Sequence, residues 1–78
     1  MLKQLLKLRR PLIPPEQALQ IARNECILWG WTWREPVVIK AHYGTWHIRT
    51  NTTARGVNAH FTIDQISGKI KQAKYIPR

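Results

Sequence analysis

Three histidines, His42, His47 and His60, are the residues of this chain whose type and spacing most readily suggest chemistry. Each falls on a polar position of an alternating stretch, so strand pairing would set all three rings on one face of a sheet. Imidazoles on neighbouring strands, with facing side chains about 4.5–5.5 Å apart, could hold Zn²⁺ or Cu²⁺. Their neighbours argue against a cation. Lys40, Arg49 and Lys71 surround them, and carboxylates able to orient the rings are scarce, with four Asp/Glu in the chain against thirteen Lys/Arg. With Lys40, His42, His47, Arg49, Asn58, His60 and Lys71 together, the same face is rich in donors and suits an anion. That anion could be the surface of an acidic protein or, with Arg55 and Lys69 added to Lys71, a nucleic acid backbone. Protonation of the histidines below about pH 6.5 would strengthen the attraction. The plainer alternative is a solvated polar face from which Lys40 and Arg49 simply extend into water.

Other chemistry is thinly represented. Glu16 belongs to a helix start and Asp64 to a turn, while Glu25 and Glu35 lie on separate elements, so no carboxylate pair forms an acid/base set. Ser67 is the sole serine and sits in a turn; Cys26 reads as a small core residue. The chain has no phosphate-cradling glycine loop and no helical metalloprotease motif. It is expected to be non-enzymatic and to need no cofactor. Trp29 and Trp46 are expected in the core. Trp31 and Trp33, beside Arg34, could stack on bases, but aromatic residues next to a helix end more often cover the core of a small domain, and that is the expectation here.

Size and charge bound the rest. Seventy-eight residues suit one domain, and a chain so short buries only about 60% of its unfolded surface. An apolar fraction of 44% and four tryptophans argue against disorder. A net charge of +9 points to an anionic partner: protein, nucleic acid or membrane surface. Lys3, Lys7, Arg9 and Arg10 make residues 1–12 a basic segment, and Leu2, Leu5 and Leu6 would lie on one side of a short helix over residues 2–9. Such a helix is marginal without a surface to pack on, and its few leucines would hold lipid weakly, so a membrane role is not favoured. Lysines interrupt the leucines, unlike a secretory signal, and no apolar run approaches the roughly 20 residues of a membrane span. The expected location is the cytoplasm. Cys26 stands alone, so no internal disulfide is available.

The elements that must position the histidines follow from periodicity. Pro15 at a first helical position, Glu16 in the first turn and Gly30 as terminator predict a helix over residues 15–29. Ala18, Leu19, Ala22, Cys26 and Trp29 form its apolar stripe, and the alanines suggest close approach to a sheet. Val37, Ile39, Ala41 and Tyr43 then share one face of a strand. Gly44-Thr45 suits a type II′ hairpin, which would oppose His42 to His47, Lys40 to Arg49 and Tyr43 to Trp46. A turn over residues 52–55 followed by Gly56 would pair His47 with His60 and Trp46 with Phe61, with Val57, Ala59, Phe61 and Ile63 inward. Asp64 to Gly68 is a turn sequence. In the last strand Ile70, Ala73 and Tyr75 all point inward only if a bulge intervenes. The expected fold is α+β: one main helix on a four-stranded antiparallel meander, residues 13–78 forming a single domain.

Pro15-Glu16-Gln17-Ala18-Leu19-Gln20-Ile21-Ala22, Gly44-Thr45-Trp46-His47-Ile48, Phe61-Thr62-Ile63-Asp64 and Ser67-Gly68-Lys69-Ile70 together resemble PepSY domains. They are also similar to small bacterial toxin-immunity proteins that share this helix-plus-meander ending. The resemblance spans about residues 13–76. It implies a binding or regulatory module, of inhibitor or immunity type, that recognises a protein partner. An acidic partner is expected, met through the basic, His-containing sheet face.

Overall fold

The computed structural model describes residues 12–77; the expected helix over residues 2–9 lies outside them. Helix α1, Pro15–Leu28, begins behind an extended Pro14, whose carbonyl accepts from the Gln17 and Ala18 amides. Pro15 costs the first turn nothing, because its missing N–H would have had no partner there. At the other end Gly30 takes φ +72. Its amide bonds Ile27 O, and the Trp31 amide bonds Cys26 O at 2.9 Å. This pair of bonds is a Schellman motif, and glycine adopts the left-handed conformation it needs without strain.

Four strands follow: β1 Val38–His42, β2 Thr45–Arg49, β3 Asn58–Asp64 and β4 Ile70–Ile76. They pair antiparallel in the order β1-β2-β3-β4. The fold is therefore the α+β helix-on-meander expected from the pattern. Ala18, Ala22 and Cys26 pack on Ile48, Ala59, Phe61 and Ile63 to form a fully buried core. Trp31, Trp33, Trp46, Ile39, Ile70 and Tyr75 pack around it, half-buried. Trp31 and Trp33 thus cover the core, Trp31 stacking on Tyr75 at 5.2 Å between ring centroids. The bulge expected in β4 is present: β3 and β4 shift register between Thr62 and Ile63, opposing Thr62 to Gln72 and Ile63 to Ile70. Asp64 Oδ1 accepts from the Ile66 and Ser67 amides, and Gly68 takes φ +76, closing the expected turn.

Several expectations fail in phase rather than in kind. The first hairpin turns on Tyr43-Gly44, both with positive φ (48 and 73), not on Gly44-Thr45. Positive φ at both central residues defines a type I′ turn, whose twist matches the flanking strands. The pairing slides by two residues, which preserves every side chain's face. Ile39 rather than Ala41 now meets Ile48, and Trp46 meets Ala41 and Ile63 rather than Tyr43 and Phe61. Ala41 is exposed, and Tyr43, expected inward, is 92% exposed at the hairpin tip. Trp29 is not core either. It sits one residue past α1, 60% exposed, its Nε1 donating to Glu25 and its ring stacked on Trp31 at 5.6 Å. Val57 lies outside β3 with φ +54, its amide bonded to Pro77 O, so the β2–β3 connection is longer than the turn expected.

Candidate functional site

The sheet face away from α1 carries the polar residues of all four strands. Two rungs cross it. One opposes Lys40, His47, Thr62 and Gln72; the next opposes Val38, Arg49, His60 and Lys74. The two-residue slide turns the expected histidine pairs into diagonals: His42 faces Thr45, His47 faces Lys40 and Thr62, and His60 faces Arg49. Diagonal neighbours on a sheet remain within reach of ring side chains. The rings still form a row, with centroids 6.0 Å apart for His42–His47 and 6.3 Å for His47–His60. A row does not surround a common point. Among the described residues no group of three or more His, Cys, Asp or Glu side chains is placed to hold a metal ion.

Two adjoining depressions open on this face. The larger, about 640 Å³, is bounded by Arg49, His60 and Lys74 on the sheet and by Arg55 on the β2–β3 loop, with Ala54 and Ile76 as apolar walls. The smaller, about 400 Å³, lies between Val38, Lys40, His47, Arg49, Thr52 and His60. Arg49, Thr52 and His60 belong to both, so the two read as one concave surface. Among the described residues no carboxylate lines either.

The loop that forms one wall is held from several sides. Asn58 Nδ2 lies 2.9–3.2 Å from the carbonyls of Thr50, Asn51 and Ala54, and Asn51 Nδ2 donates to Gly56 O. The buried Thr50 hydroxyl accepts from the Ala59 amide. The Asn51 and Thr52 amides bond Arg34 O and Pro36 O, tying the loop to the segment after α1. Asn58, counted among the donors of an anion site, thus spends its amide on shaping the wall.

Electrostatics single out one rung. Arg49, His60 and Lys74 stand side by side on β2, β3 and β4. Partial burial, then His47, Arg49 and Lys74, hold the His60 imidazole below its ordinary value. Like charges set across strands without a counter-charge destabilise a sheet. The face's carboxylate, Asp64, is at the far end and committed to its turn, where the Ser67 and Ile66 amides hold it below the usual carboxylate range. Lys71 Nζ donates to Thr45 Oγ1 at 2.7 Å, nearer that end than the depressions. His42 lies against Tyr43 at the hairpin tip, centroids 4.2 Å apart.

No family model, curated protein or solved structure matches this chain. Of the seven residues expected to bind, Lys40, His47, Arg49, Asn58 and His60 line the concave surface, while His42 and Lys71 stand apart from it. Lys74, Thr52 and Ile76 join the surface unforeseen. Lys74 had a signal: with Ala73 and Tyr75 inward, strand alternation turns it outward. Thr52 had none, because its place depends on a loop closed by contacts distant in sequence.

Proposed function

We propose that this chain is a small non-enzymatic binding module, regulatory in the manner its PepSY-like pattern implies, that takes an acidic protein on its outer sheet face. The observation that carries this is the concave surface itself: basic across its floor, without a carboxylate among the described residues that line it, and flanked by Val38 and Ile76. These two side chains, 38% and 56% exposed, give an apolar shoulder on each sheet edge. Apolar shoulders around a basic floor favour a protein surface, which supplies both side-chain types, over a phosphodiester backbone. The floor attracts the partner and the shoulders hold it as salt rises.

Fluorescence anisotropy with three labelled probes tests this: an acidic peptide with interspersed leucines, polyglutamate of equal length, and a single-stranded oligonucleotide. The leucine-containing peptide should bind best, retain binding at about 300 mM salt, where bare charge attraction is strongly screened, and lose it in Arg49→Glu. Preference for the oligonucleotide, with affinity falling steeply as salt rises, would replace this function with nucleic acid binding. Silence from all three probes at about 50 mM salt would end both.

A further inference from the structure

We infer that the Arg49–His60–Lys74 rung is the seat of a single oxyanion, a carboxylate or phosphate group borne by a side chain of the bound partner. The inference rests on the proposed binding face and narrows it to one contact. Adjacent strands lie about 4.8 Å apart, so directly opposed positions on β2, β3 and β4 bring a guanidinium, an imidazole and an ammonium into one short line. All three border the larger depression, and Arg55 reaches it from the loop. The polar groups beside them are already occupied: the Thr50 hydroxyl with the Ala59 amide, and the Asn58 amide with loop carbonyls. What faces the space is therefore mainly donors, and arginine donors suit a planar carboxylate or a phosphate bidentately. Ala54 and Ile76 offer apolar contact to the methylenes of the side chain that carries it.

The rung also makes binding sensitive to pH. Every charged neighbour of His60 opposes its protonation: His47 and Arg49 from β2, and Lys74 from β4. Arg55 from the loop and Lys40 from β1, which line the two depressions, carry the same sign. On β3 itself, Asn58 and Thr62 are neutral and Asp64 is bound into its turn. An oxyanion seated on the rung reverses the local field, and His60 takes up a proton as the anion arrives. Linkage then makes the anion bind more tightly as pH falls, by at most tenfold per unit for one proton.

The test is calorimetric titration of the full chain with inorganic phosphate, with acetate and with the acidic leucine-containing peptide. Each is run near pH 7 in two buffers of different ionisation enthalpy, while NMR follows the His60 ring protons. The expected result with acetate and the peptide, whose carboxylates stay ionised near pH 7, is uptake of a fraction of one proton per anion with movement of the His60 signals; phosphate, which itself titrates near neutrality, is read from the His60 signals alone. Uptake should vanish in His60→Gln while binding survives, and Arg49→Gln and Lys74→Gln should each weaken binding about two- to fivefold. Binding by phosphate but not acetate assigns the seat to a phosphorylated side chain; binding by both assigns it to Asp or Glu. A peptide that binds without proton uptake and leaves His60 unmoved overturns the seat but leaves the acidic-partner reading standing. Phosphate that titrates His60 without competition from the peptide supports the seat and defeats that reading.

Discussion

Lys74 stands directly opposite His60, with Arg49 on the other side of the same rung and Arg55 across the depression. Its replacement by Glu should stabilise the fold while weakening the binding of acidic probes. Arg49 and Lys74 are two strands apart, about 9.6 Å at 4.8 Å per strand. Two unit charges at that distance interact by about 0.4 kcal/mol in water, and screening at physiological salt reduces this to about 0.1 kcal/mol. Charge reversal removes this repulsion and adds an equal attraction, about 0.3 kcal/mol from Arg49 alone. For a domain of this size that raises the melting temperature by about 1–2 °C. Lysine and glutamate are similarly poor strand formers, so propensity does not obscure the comparison. Thermal melts followed by circular dichroism should show the gain growing at about 20 mM salt and disappearing near 1 M, with Lys74→Gln about halfway. A Lys74→Glu protein that melts no higher than the parent at low salt, or keeps its gain at 1 M, would refute the claim that this rung carries uncompensated charge.

Three further expectations follow from local geometry. Tyr43 holds φ +48 and is 92% exposed, so Tyr43→Asn should raise the urea midpoint with unchanged slope, a gain in stability of up to about 1 kcal/mol; a lower midpoint would show that its contact with His42 outweighs the strain. Asn58→Ala removes the donor that gathers the Thr50, Asn51 and Ala54 carbonyls, and should cost about 1–3 kcal/mol in urea unfolding and speed amide exchange in the loop. The Asp64 carboxyl is held low in the fold by the Ser67 and Ile66 amides. Its stabilisation is therefore complete above the unfolded carboxyl value of about 4 and drains as pH falls through the folded value. Acid titration of Asp64→Ala should lack this part of the decline, and an unchanged profile would contradict it.

Much of the fold follows from rules that act over a few residues. Pro15 and Gly30 bracket α1, Asp64 and Gly68 make the last turn, and the broken alternation from Ile70 to Tyr75 demands the bulge that is present. Alternation also determines which face each strand residue occupies. It does not determine which partner it meets, because sliding a hairpin by two residues leaves every face unchanged. The choice between Gly44-Thr45 and Tyr43-Gly44 rested on a tyrosine adopting a conformation that tyrosine seldom takes, and the register of all three histidines went with it. Asn58 illustrates a second limit. A polar residue on an outer strand face reads as an available donor, and only the closed loop shows its amide engaged.

Trp29, Trp31 and Tyr75 stack in sequence, with interplanar angles of 15° and 7°, and so join the end of α1, the link that follows it and β4 in one column of rings. Nearly parallel chromophores at such separations share their excited states. Held in fixed surroundings, they should add near-ultraviolet dichroism that is lost with this packing and lies apart from the far-ultraviolet signals of helix and sheet. The column exists only while the link after α1 is seated against β4. The molecule therefore carries an intrinsic optical marker of that docking, separable from the spectrum of helix or sheet alone, and Trp29→Leu would erase one pair of the coupled rings.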